Sequence, residues 1–206
     1  MLLTGLSEFR LGIMASREDE TIDPKRTFLL NSKTGGPKEL KISNLSADVE
    51  QVYGGDALRR TTGQGTGQVE ATINADDIPS AVLHAILGYT RGTDGTWAAT
   101  TNTQAPYCAF EAMSHDVNNK KVYMGLVKGQ FSRGDLNPQT NTEKQNDAQD
   151  ELKFTALSRA DGEVFVEGLE VEGVSQEAMD MKVFGVKVDE TGDNIKVEPI
   201  TPTPGG

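Results

Sequence analysis

The sequence predicts a mainly β fold: a β-sandwich or distorted barrel flanked by one α-helix, with long loops and a C-terminal arm. Three observations carry this reading. Short stretches that alternate apolar and polar residues recur along the chain, separated by turn chemistry such as SKTGGPK at 32–38, Asp94-Gly95 and Asp161-Gly162. Among residues 1–170 only one stretch has convincing helical spacing. Hydrophobic residues make up 36% of the 206, low for a compact globule. Long loops, a tail or apolar surface covered by neighbouring copies would account for that.

Residues 8–14 alternate Phe9, Leu11 and Ile13 with Glu8, Arg10 and Gly12, which reads as a strand. Residues 27–30 make a second, short strand. The stretch 15–38 is charged or turn-like, and reads as an extended hairpin or a long projecting loop. Residues 39–43 and 49–53 are strands, and 54–67 is a Gly/Thr/Gln loop containing Arg59 and Arg60.

Residues 69–90 (VEATINADDIPSAVLHAILGYT) are the organising stretch. An alternating strand runs into Asp76-Asp77, then into a helix whose apolar stripe is Ile78, Val82, Leu83, Ile86 and Leu87. Asp76 or Asp77 is expected to cap that helix, with Pro79 in its first turn and Gly88 at its end. The helix is expected outside the sandwich, as a buttress between subunits or on an outer wall.

Strands follow at 96–101 and 107–113, with a turn at 116–119. Residues 122–131 are apolar on both alternating faces, with Val122, Met124 and Leu126 on one and Tyr123, Val127 and Phe131 on the other. Such a strand belongs in the centre of a sheet. Lys128 interrupts it, so one end must reach water or a partner. Residues 132–149 form a polar loop. Residues 151–157 are a strand, and 164–166 pair back after the Asp161-Gly162 turn. Residues 175–184 suit a second short helix capped by Ser175, and 186–188 and 195–197 read as strands. PITPTPGG at 199–206 reads as disordered or as an extended arm. The expected division is a domain at 1–168 and an extension at 169–206.

Composition excludes several functions. A net charge of −11 is unsuited to gripping nucleic acid, where affinity comes from Lys and Arg displacing counterions. The single cysteine, Cys108, allows no internal disulfide. No apolar run approaches the ~20 residues of a membrane helix, and no signal-peptide core is present, so the expectation is a soluble protein not exported by the general route.

No catalytic set stands out. Cys108, His84 and His115 have no spacing that suggests a nucleophile–base pair, and a four-ligand zinc set is lacking. GQGTG at 63–67 precedes a strand and does not open a helix, so it is no phosphate cradle. DETGDN at 189–194 lacks the calcium-loop spacing. Asp76 and Asp77 could be an acid–base pair, but helix capping explains them. Arg59 and Arg60 suit an inter-subunit salt bridge. No enzyme activity and no cofactor are expected.

The ordered run ELKISNL, VEQVYGGD, VEATINADDIPSAVLHAILGYT, APYCAFEAM, KVYMGLVKGQFS, NPQTNTEKQN and ELKFTALSRADGEV, over roughly 39–167, resembles the major tail tube proteins of long-tailed, siphovirus-type phages. The resemblance is nearest to those of Gram-positive hosts. Its motifs are the helix D-(I/L)-P-x-x-V-L-x-x-(I/L)-L-G at 77–88, APY-x-A at 105–109, (L/V)-x-KG-x-F at 126–131 and QT-x-x-E/D at 139–143.

The resemblance implies a β-sandwich with a helix, assembled into hexameric rings that stack as a hollow tube in the virion tail. It implies assembly in the host cytoplasm. The implied partners are other copies of the chain, a tape measure protein, a tail terminator and a distal tail protein, with DNA passing through unbound and no membrane involved. The lumen candidates are the polar strand faces Gln68, Glu70 and Thr72 with Glu151, Lys153 and Thr155. The ring-stacking candidates are Arg17, Glu18, Asp19, Glu20, Lys33 and Lys38, then Asp135, Asn137, Thr140 and Glu143, and the C-terminal arm. The rival is a monomeric or trimeric β-sandwich binding module of the virion, for carbohydrate or a host surface. That would need an aromatic platform, for which Trp97 and four tyrosines offer little.

Overall fold

A computed structural model of the chain describes residues 2–48, 50–54, 57–63, 65–134 and 150–191. Asp135, Asn137, Thr140, Glu143, the 139–143 motif, the strand expected at 195–197 and the arm at 199–206 lie outside the described residues.

One antiparallel eight-stranded sheet dominates. Its strands are β1 (Leu3–Met14), β2 (Ile22–Leu30), β3 (Gly35–Ser43), β6 (Glu70–Asp77), β9 (Tyr107–Asp116), β10 (Lys121–Arg133), β11 (Asp150–Ala156) and β12 (Phe165–Leu169). Two small hairpins stand beside it, β4 (Glu50–Gly54) with β5 (Ala57–Thr62), and β7 (Thr90–Arg91) with β8 (Trp97–Ala98). The helices are α1 (Ser80–Leu87) and α2 (Gln176–Val183).

Along the sheet the order is β2-β1-β9-β10-β11-β6-β3, with β12 on β10. The two ends of this path, β2 and β3, are joined by residues 31–34, where Asn31 and Thr34 bridge. Four residues reach only about 15 Å. The sheet must therefore curl until its ends meet, which makes a distorted barrel.

β10 is the spine. One edge pairs with β9, and the other is divided between β12, at Val122–Leu126, and β11, at Gly129–Arg133. A register shift between Leu126 and Gly129 turns the strand over. Phe131 thereby joins Leu126 in the main core instead of the face of Tyr123 that strict alternation predicts.

That core lies inside the curl. It holds Phe9, Leu11 and Ile13 of β1, Ala71, Ile73 and Ala75 of β6, Phe110 of β9 and Leu152 and Phe154 of β11. Phe110, Phe131 and Phe154 meet edge-on or tilted at centroid distances of 4.7–6.1 Å. A second core on the opposite face of β1, β9 and β10 gathers Met14, Met113 and Tyr123 under Met179, Val183, Phe184 and Val188.

Several sequence expectations change. Most of 15–38 is strand, leaving only 15–21 and the turn at 31–34 outside the sheet. Residues 54–67 contain β5 and are not a single loop, and the strand expected at 96–101 shrinks to Trp97–Ala98. β12 pairs with β10 and not with β11. Asp76 and Asp77 do not cap α1: they end β6, the N-cap is Pro79, and no side chain accepts a bond there. Asp76 pairs with Lys38 across the ladder. Gly88 does end α1, in the left-handed conformation at φ 72°. Five of the eight α1 residues are buried against the main core, Val82, Leu83, Ile86 and Leu87 of the predicted apolar stripe among them. α2 forms as predicted, with Ser175 Oγ accepting from Ala178 N at 3.2 Å. It packs on the sheet through the second core. No strand forms at 186–188.

Candidate assembly surfaces

Strands β3, β6, β11 and β10 put alternate residues into the main core, so the intervening residues share one outer face. Pairing aligns them in rows. Ser43, Glu70, Thr155 and Gln130 make one row, and Lys41, Thr72, Lys153 and Ser132 the next. Glu39, Asn74 and Glu151 make a third, in which Asn74 Nδ2 donates to Glu39 Oε2 at 3.1 Å. None of these eleven residues is buried. Three carboxylates stand against two lysines, and both lysines occupy the middle row. The face is polar throughout and close to balanced in charge, with a small negative excess.

Five of the six predicted lining residues fall on this face. Gln68 lies at its rim, where Nε2 donates to the Ala156 carbonyl at 3.0 Å and ties the start of β6 to the end of β11. Sequence reasoning missed Asn74 and the flanking contributions of β3 and β10. The alternation ELKIS at 39–43 was the available signal for β3.

Among the described residues, the predicted stacking residues are divided between the β1–β2 connection and the stretch 33–38 that leads into β3. Residues 15–21 link β1 to β2 and are locally ordered. Asp19 N donates to Ser16 Oγ at 2.9 Å, and Asp19 Oδ1 accepts from Thr21 N and Oγ1. The Thr21 hydroxyl holds the Asp19 carboxyl below its ordinary range. Glu20 turns inward: its Oε1 accepts from Lys128 Nζ at 2.6 Å, and both its oxygens accept from Ala160 N. The bond from Lys128 lowers the Glu20 pKa. Lys128 also donates to the Arg17 carbonyl and sits 5.5 Å from the Tyr107 ring centroid. The cation that interrupts β10 thus finds its partner within the chain. Arg17, Glu18 and Asp19 remain exposed. Lys33 lies in the turn at 31–34 and is also exposed, and Lys38 is held by Asp76.

Where the curled sheet closes, an apolar groove of about 570 Å³ opens among Leu3 and Leu6 of β1, Leu40 and Ile42 of β3, Met124 of β10 and Phe165 of β12. β2 and β3 are each paired in the sheet along one edge only.

A family model described as phage tail tube protein matches residues 3–190. The chain belongs to the phage tail tube protein family. No curated protein sequence matches it. A tail tube protein is a structural, non-enzymatic part of the virion tail, and the family implies self-assembly. The match runs from β1 past α2, the same span that the two cores unite.

The chemistry of this tail tube protein fits a structural role. Cys108 is fully buried, and burial pushes its thiol far up from the ordinary range. His115 lies seven residues further along the same strand, ~23 Å away at the rise of a β-strand. Among the described residues no group of His, Cys, Asp or Glu could hold a metal. His84 is not a surface residue: half-buried on α1, it stacks on Trp97 at 4.6 Å and 14°. Arg91 approaches the same indole at 5.7 Å. The single tryptophan is occupied in fastening β7–β8 to α1.

Proposed function

We propose that this tail tube protein is the repeating subunit of a siphovirus-type tube from a phage of Gram-positive hosts, assembled in the host cytoplasm into stacked hexameric rings. The polar face of β3, β6, β11 and β10 lines the bore, through which the tape measure protein is accommodated and DNA passes. A terminator and a distal tail protein close the two ends. The observation that carries this reading is that β3, β6 and β11, with Gln130 and Ser132 of β10, present a continuous polar face while their other face builds the core.

A bore must let a polyanion slide. A uniformly basic lining would hold phosphates by counterion release. Here each lysine of the middle row stands between rows bearing carboxylates, Glu70 on one side and Glu39 or Glu151 on the other. The surface is wetted and charged, yet offers phosphate little net attraction. The sheet end at β3 supplies an edge at which a neighbouring subunit extends the lining, which also removes an edge that would otherwise pair indiscriminately. Arg17, Glu18 and Asp19 project from one connection and suit ring-to-ring contact, and Lys33 suits a second contact point. The rival reading, a carbohydrate-binding module, lacks an available aromatic platform because Trp97 is already engaged.

Labelling tests the orientation. Lys153→Cys should react with a bulky maleimide in the free subunit and become protected on polymerisation, while Met181→Cys, exposed on α2, stays reactive. Electron micrographs should show rings or tubes with a central hole. Equal reactivity of the two positions in intact tubes would place the polar face outside the bore.

A further inference from the structure

The second core covers a buried charge cluster. Under α2, Arg10 of β1 and Glu111 of β9 meet Gln176 and Asp180 of α2. Arg10 is 4% exposed, Asp180 3% and Glu111 0%. The two carboxyls are provided for very differently. Asp180 accepts from Arg10 Nη1 at both oxygens (3.3 and 3.2 Å), from Gln176 Nε2 at 3.0 Å and from Val188 N at 3.2 Å. Burial raises the Asp180 pKa, and those donors work against the rise by favouring its charged form. Glu111 receives one bond, from Gln176 Nε2 to Oε1 at 2.6 Å. Among the described residues its Oε2 has no partner, and neither has Oε1 of Gln176.

Two buried acceptors are thus left over on the two groups already joined by one hydrogen bond. Leaving both unsatisfied is costly. A proton on Glu111 Oε2 would make it a donor, the group that the cyclic pair of a carboxylic acid with a primary amide needs opposite Gln176 Oε1. The Gln176 amide is oriented for this, because its nitrogen is already committed to two acceptors.

We propose that Glu111 is an un-ionised carboxylic acid in the folded protein, paired with Gln176, and that its ionisation in alkaline solution unlatches α2 from the sheet. Among the described residues the counter-charge near Glu111 is Arg10, which is already shared. The titratable and charged groups around it are Arg10 and Glu8 from β1, Tyr123 from β10 and Asp180 from α2, with Glu190 from the segment after α2. The single guanidinium of Arg10 already meets Asp180, Glu8 and Glu190. Burial pushes Glu111 up to about 8, and the charge of Asp180 adds to that shift. The raised value belongs to the folded state, so the contribution is complete below the ordinary glutamate pKa and is lost as pH rises through about 8. Met179 and Val183 leave with the helix, which uncovers Met14, Ile22, Leu29, Met113 and Tyr123 on the outer face of the sheet.

Two measurements on the full chain test this, and both can be made on free or assembled protein. In infrared spectra at neutral pH, wild type should show the carbonyl stretch of an un-ionised carboxylic acid, and Glu111→Gln should lack it. In hydrogen exchange, protection of residues 176–183 in wild type should fall by up to about tenfold per pH unit between the ordinary glutamate range and the Glu111 midpoint, and level off above that midpoint. It should stay level in Glu111→Gln, which keeps the pairing as an amide–amide pair and cannot ionise. Parallel loss of protection in both proteins, or no acid carbonyl in wild type at neutral pH, would overturn the proposal. If Glu111→Gln does not fold, the infrared titration of wild type decides alone: persistence of the acid band above neutral pH supports the latch, and its disappearance in the ordinary carboxylate range sinks it.

Discussion

Gly88 shows how much one position can fix. Its φ of 72° lies where a side chain is strained, and a Cβ there would press on the Gln104 carbonyl. The left-handed conformation alone costs a non-glycine residue about 1–2 kcal/mol. Gly88→Ala should therefore lower the unfolding free energy by at least that much in urea titrations. Lys128 makes a different kind of prediction. Its bond depresses the Glu20 pKa, so that pair stabilises the fold above the ordinary glutamate range and the contribution is lost as pH falls through the depressed value. Lys128→Met should remove this part of the acid dependence, visible when stability is followed from neutral to acidic pH. Gly88 was legible in the sequence because it follows a complete apolar stripe. Asp76 and Asp77 misled because a capping pattern is local, whereas the partner that claims Asp76 is Lys38 on another strand. Glu111 and Gln176 lie 65 residues apart, and nothing in their local sequence announces that they meet.

At the level of elements, the strands that were hard to read are the edges. β2 contains Pro24 and β3 contains Pro37. Proline lacks the N–H a ladder needs, so it reads as a breaker, yet an edge strand tolerates it. β12 was assigned the wrong partner for a related reason. The Asp161-Gly162 turn suggested a hairpin with β11, but β11 already has β10 on one edge and β6 on the other. The thirteen-residue β10 has the free length instead. The spine itself was read correctly, because apolar residues on both faces require cover on both faces. Its turnover between Leu126 and Gly129 was not visible, since a bulge adds a residue without changing composition. α2 was legible from Ser175, and that cap can be tested. Ser175→Ala should cost about 1 kcal/mol, with a matching increase in hydrogen exchange confined to the first turn of the helix.

At the scale of the whole molecule, residues 17–38 cannot be treated as an appendage, because they include β2 and the first part of β3. Their deletion should abolish the folded state, seen as loss of the β signal in circular dichroism. Replacing Arg17, Glu18 and Asp19 with serine should leave that signal unchanged, and any loss of tubes in micrographs would then report on stacking alone. The curl of the sheet also governs the order of events at the ribosome. β1 is the first strand synthesised, and Phe9 pairs with Leu30 on one side and Ala112 on the other. The second partner emerges about a hundred residues later, which at ~5–20 residues per second is a wait of about 5–20 seconds. α2, which closes the second core, emerges later still. Contacts so distant in sequence also slow folding once the chain is complete. A nascent chain, or one truncated before α2, therefore has neither a finished barrel nor a closed second core to offer a neighbour.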